Sequence, residues 1–119
     1  MERQDARLLR IFVGESDTYD GRPVYQAIVE LLRRRGLAGA TVLRGIEGFG
    51  KSSILHAAHV LRLSEDLPIV IECVDTADEI EAVLPALDEM IGDGLVTLER
   101  VDVRVYRAGN TSGTDYNNE

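Results

Sequence analysis

A single lysine occurs among the 119 residues, and it stands in a glycine-rich stretch. Gly45-Ile46-Glu47-Gly48-Phe49-Gly50-Lys51-Ser52 satisfies G-x-x-x-x-G-K-[ST], a pattern in which backbone N–H groups close around phosphate oxygens. Lys51 would meet the terminal phosphates and Ser52 a metal ion. His56 and His59 follow at i,i+3 and could share a metal on a helix, but no third ligand is evident. Cys73 alternates into an apolar run and reads as a small core hydrophobe. As the one cysteine it cannot form an intramolecular disulfide, which points to a reducing compartment. No Ser-His-Asp or paired-carboxylate arrangement stands out. These residues point to binding an anion rather than to catalysis.

The charge balance narrows the partners. A net charge of -8 argues against non-specific nucleic-acid binding, which needs a basic face. Twelve arginines accompany the one lysine, and Arg33-Arg34-Arg35 falls where a helix should end and cations complement its dipole. No run approaches the roughly 20 apolar residues of a membrane span, and the chain opens on charged residues rather than an apolar leader. The expectation is a soluble, cytoplasmic protein with no membrane insertion.

Six elements must position the glycine stretch. Residues 7–14 alternate, with Leu9, Ile11 and Val13 on one face and Arg10 and Phe12 on the other, which predicts a strand. A polar turn over 14–21 leads to Pro23, suited to a first helical turn, and Val24, Ala27, Ile28, Leu31 and Leu32 follow at helical spacing up to Gly36. Residues 40–44 predict a second strand and 69–74, opened by Pro68, a third. The stretch 52–66 fits a helix, a loop or a strand extension. Thr76-Ala77-Asp78-Glu79 is a capping box before the stripe Ile80, Val83, Leu84, Leu87 and Ile91. Pro85 should kink that helix. Gly92-Asp93-Gly94 stops it, and Val101, Val103 and Val105 alternate along a long last strand. From Gly109 the composition predicts a disordered tail.

This β-α-β-β-α-β order predicts an α+β, ferredoxin-like sandwich with an antiparallel four-stranded sheet over residues 6–108. Leu8, Phe12, Val42, Val70 and Val74 would give the helix-free face an apolar surface, the mark of an interface. The same order argues against a nucleoside triphosphatase on the G-x-x-x-x-G-K-[ST] pattern. Such a fold needs about five parallel strands, and only two strands follow position 52.

The combined strings resemble the PII signalling proteins: Gly39-Ala40-Thr41-Val42, Gly48-Phe49-Gly50-Lys51, Asp66-Leu67-Pro68 and Gly92-Asp93-Gly94 match in order and spacing. Arg10-Ile11 to Glu15-Ser16, Leu43 to Gly50 and Leu63 to Pro68 are more similar still to the PII-like family called domain of unknown function 190. The resemblance implies a homotrimer with ligand clefts between subunits. It also implies an adenine nucleotide cradled by Thr41, Gly48, Phe49, Gly50, Lys51, Gly92, Asp93 and Gly94, with Arg107 at the end of the last strand. Leu95 and Val105 replace basic residues of the PII pattern, so a mono- or diphosphate, a cyclic nucleotide or another anion becomes as plausible a ligand as a triphosphate. No cofactor is required. The function so implied is regulatory and non-enzymatic: ligand orders a loop at about 46–64, which engages a target protein. Two other readings stay open, a small phosphohydrolase or phosphotransferase using the same loop, and a metal-responsive trimer of the same fold.

Overall fold

Alternation dominates the strand sequences, and the structure, a computed structural model, follows it. It describes residues 5–50 and 66–108. Lys51, Ser52, His56, His59, most of the 46–64 loop and the tail from Gly109 lie outside the described residues.

Strand β1 (Ala6–Gly14) turns Leu9, Ile11 and Val13 into the core. The polar stretch after it is a small hairpin rather than a plain turn: β2 (Thr18–Tyr19) pairs with β3 (Arg22–Pro23). Asp20 and Gly21 between them have φ of 56° and 80°. Two consecutive positive φ values define the tight turn whose twist suits a hairpin, and Asp-Gly is its commonest signature. Helix α1 (Val24–Arg34) buries Val24, Ala27, Ile28, Leu31 and Leu32. It ends where Gly36 takes φ 80° and the Leu37 amide donates to the Leu32 carbonyl, a glycine-dependent stop.

Strand β4 (Thr41–Arg44) and strand β5 (Pro68–Thr76) follow, then helix α2 (Ala77–Met90) and strand β6 (Leu95–Val101). Thr76 caps α2, its hydroxyl accepting from the Glu79 amide at 3.2 Å. Pro85 sits exposed inside the helix, which runs on to Met90. The last strand is displaced from its sequence expectation. It closes at Val101 because its partner β1 begins at Ala6, so Val103 and Val105 lie past the ladder.

The sheet order is β4-β5-β1-β6, and every pair is antiparallel. That is the ferredoxin-like arrangement, an α+β domain. Both helices pack on one face, over Leu9, Ile11, Ile69, Ile71 and Cys73. Residues directly opposite in an antiparallel pair share a face, which corrects one assignment. Val42 lies opposite Ile71, on the helix side, and Leu43, opposite Val70, takes its place on the helix-free face. Strands β4 and β5, on either side of the G-x-x-x-x-G-K-[ST] stretch, are antiparallel neighbours rather than a parallel pair. Among the described residues no helix is long and apolar enough to cross a membrane.

Candidate functional site

At one end of the sheet β1 finishes, β5 starts and β6 starts, and there a cavity of about 430 Å³ opens. Gly48, Phe49 and Gly50 form one wall and Asp93, Gly94 and Leu95 another, with Phe12, Val13 and Pro68 between them. Five of the sequence-nominated residues (Gly48, Phe49, Gly50, Asp93 and Gly94) therefore meet around one space. A single chain supplies both glycine loops, where the resemblance suggested clefts between subunits.

Sterics explain much of the glycine content. The Gly45 amide donates to the Pro68 carbonyl at 2.7 Å, so the loop folds back over the proline ring. A Cβ at Gly45 would stand 2.7 Å from Pro68 Cγ, and one at Gly48 would stand 3.1 Å from it. At Gly94 a Cβ would meet the Phe12 carbonyl oxygen at 2.6 Å, and backbone cannot give way. Gly50 differs, with open space where its side chain would be. Gly45 and Gly94 thus leave no room for a side chain, Gly48 leaves little, and Gly50 keeps its wall of the cavity low.

Among the described residues, the remaining nominated ones, Gly92, Thr41 and Arg107, do not line the cavity. Gly92 is next to Asp93 in the chain but not on the wall. Thr41 sits on β4 opposite Glu72. Arg107 follows Tyr106, whose hydroxyl reaches the Ala38 carbonyl at 3.5 Å, near the end of β5. The cavity lies at that strand's beginning, and nine residues of strand span roughly 30 Å. Arg107 of the same chain is therefore remote from it.

Three carboxylates face the cavity, Asp17, Asp66 and Asp93, and no described residue on its wall is cationic. Asp17 accepts the Gly14 amide at 2.8 Å and Asp66 the Ser16 amide at 3.1 Å, so both also fix the turn after β1. Burial pushes the Asp17 carboxyl above its usual range, Asp66 and Asp93 push the same way, and the Gly14 amide opposes them. Sequence reasoning missed Asp17 and Asp66 as lining residues. Asp17 is 49 positions from Asp66 in the chain, and only the pairing of Gly14 with Pro68 brings them together. Arg44 stands nearby but is occupied by Glu15 at 3.1 Å.

Asp75, which could have passed for a magnesium-binding acid, has another task. It is buried, and its oxygens accept the amides of Ala38 and Thr76, each at 2.7 Å. Among the described residues no group of three or more His, Cys, Asp or Glu side chains is placed to hold a metal ion.

A four-stranded antiparallel sheet in this order, with both helices on one face, defines a ferredoxin-like α+β protein. The DUF190 family (Uncharacterized ACR, COG1993) matches residues 6–103, and the chain belongs to it. UPF0166 protein MJ1524 of Methanocaldococcus jannaschii is 40% identical over 103 residues, covering 86% of this chain and 93% of that one. A UPF0166 protein of Aquifex aeolicus is 39% identical over 99 residues, covering 82% and 91%. Among solved structures, CPII bound to ADP, AMP and acetate, from Thiomonas intermedia K12, aligns with a TM-score of 0.49 at 20% identity, over 90% of this chain and 94% of that one.

Proposed function

We propose that this chain is a nucleotide-responsive regulatory protein without catalytic activity of its own, with residues 6–108 as its binding unit. The observation that carries this reading is the convergence of Gly48–Gly50 and Asp93–Gly94 on one cavity of about 430 Å³. The volume suits a ligand of nucleotide size. Phe12, Val13, Phe49, Pro68 and Leu95 offer apolar wall to a base, and the open space at Gly50 leaves room for the rest of the ligand. The motif resemblance to PII proteins favours adenine among the bases.

The three wall carboxylates bear on the phosphate count. Each negative charge brought within about 4–6 Å of them is disfavoured, so the ligand carries few phosphates or cations come from elsewhere. Lys51 follows Gly50 directly in the chain and is one source. Arg107 is the other, contributed by a second copy, since its own cavity is out of reach. The helix-free sheet face, with Leu43 and Leu95 48% and 55% exposed, is the surface through which copies assemble as a homotrimer. Ligand occupancy then sets the conformation of the 46–64 stretch and, through it, engagement of a target protein.

Isothermal titration of AMP, ADP, ATP and cyclic AMP into the protein, with and without magnesium, tests the reading. Binding of at least one adenine nucleotide is expected, with Lys51→Ala about ten- to a hundredfold weaker through loss of a charge-assisted contact. Turnover of the bound nucleotide, or no response to any of the four, would overturn it.

A further inference from the structure

The helix-free sheet face is layered. Register places Leu43, Val70, Phe12 and Leu95 in one cross-strand row over all four strands, and this row is entirely apolar. The next row is Thr41, Glu72, Arg10 and Thr97, entirely polar. Arg10 sits at its centre and is shared: its Nε donates to Glu72 at 2.9 Å and its Nη1 to Glu99, on the following row, at 3.3 Å. One guanidinium and two carboxylates leave this triplet one negative charge in surplus.

The triplet does little for the isolated chain. Its side chains are 39%, 32% and 59% exposed, and ion pairs this open to water add little to stability. Covered by another surface, the same ions lose water, and a misaligned cover returns nothing for that loss. An apolar row beside an ionic one therefore discriminates among ways of covering the face. Only a partner with apolar groups over the first row and a donor beside Glu99 fits.

We infer that Arg10, with Glu72 and Glu99, fixes the register in which a second copy of this chain covers the helix-free face. The inference rests on the proposed assembly and deepens it. The occupant is a second copy because the face meets its own requirements. It holds both an apolar row and both signs of charge, so the surplus carboxylate of one copy can share the guanidinium of the next. Continuity with the cavity points the same way, since Phe12 and Leu95 belong both to the apolar row and to the cavity wall. Slippage by one row would set apolar side chains on Arg10 and leave that wall uncovered. A specificity role of this kind matches what buried polar groups do where they fix register at some expense of stability.

Native mass spectrometry and sedimentation at micromolar concentration test this on three chains. Wild type is expected as one stoichiometry; a wild-type monomer overturns the proposed assembly, and the register role with it. Given an assembled wild type, Arg10→Met should stay folded, with far-UV circular dichroism unchanged, but distribute over two or more stoichiometries. Glu99→Gln, which removes the carboxylate offered to the guanidinium of the next copy, should keep one stoichiometry and self-associate about tenfold more weakly. If Arg10→Met gives the single wild-type stoichiometry, or Glu99→Gln leaves the association constant unchanged, Arg10 does not set the register although the assembly stands. Should Arg10→Met fail to fold, the Glu99→Gln constant decides alone.

Discussion

The amide of Ala38 donates to Oδ2 of Asp75 at 2.7 Å. This one bond ties the chain entering β4 to the end of β5, the strand that β4 pairs with. The other oxygen, Oδ1, takes the amide of Thr76, the residue that caps α2. A single buried carboxylate thus anchors an edge strand and the start of a helix together.

Asp75→Ala should deprive the Ala38 and Thr76 amides of the acceptors they use here. Roughly 2–4 kcal/mol of stability is expected to be lost. Asp75→Asn, which keeps one acceptor oxygen, should lose about half as much. Urea unfolding followed by circular dichroism measures both, and equal losses would show that the second bond contributes nothing.

Two glycines of the cavity should respond in opposite ways. Gly94→Ala forces a methyl to 2.6 Å from the Phe12 carbonyl oxygen, for which about 1–3 kcal/mol of destabilisation is expected. Gly50→Ala meets open space and should leave stability near wild type. Its effect should appear instead in nucleotide affinity, measured by titration, because the added methyl stands on the wall that phosphate approaches.

Asp17 gives the pH dependence a sign. Its carboxyl is raised above the usual value by burial and by Asp66 and Asp93. A raised acid contributes stability that is full below its unfolded value and lost as pH rises through its folded one. At neutral pH the ionised form is therefore a liability. Asp17→Asn, whose side-chain oxygen can still accept the Gly14 amide, should melt higher than wild type at pH 7. The difference should vanish toward pH 3; a pH-independent difference would place its origin outside the charge.

Cys73 should behave as core. Burial, with Asp75 nearby, raises its thiol to about 11. Alkylation by iodoacetamide at pH 8 should then be roughly 100-fold slower in the folded chain than in urea, where a free thiol near 8.5 is substantially ionised. Equal rates would mean that the strand opens freely.

Periodicity made the architecture legible. Leu9, Ile11 and Val13 declared one face of β1, and Thr76 with Glu79 declared the start of α2, because both signals are local. Asp20-Gly21 carried a hairpin signal as well, overlooked inside a polar turn. The face of Leu43 was not legible: four residues of alternation fit either phase, and only pairing with Val70 fixes it. The acidic character of the cavity was hidden for a related reason. Asp17 and Asp66 are brought together by the register of β1 against β5, which a single sequence does not display. Glycine spacing, by contrast, was enough to nominate Gly48, Phe49, Gly50, Asp93 and Gly94.

The place of β1 between β5 and β6 also bears on how the chain comes off the ribosome. β1 is the central strand, yet Arg10 must wait for Glu72, 62 residues later, to meet its partner on one side. At about 5–20 residues per second that interval lasts roughly 3–12 s. Leu9, Ile11 and Val13 gain a helix to lean on once Val24–Arg34 has been made, but have no ladder on either edge until β5 follows. The nascent chain thus presents an apolar strand with two open edges, and closing such distant contacts is slow. That interval is when this domain is most exposed to misassociation, and chaperone contact should concentrate on residues 6–14.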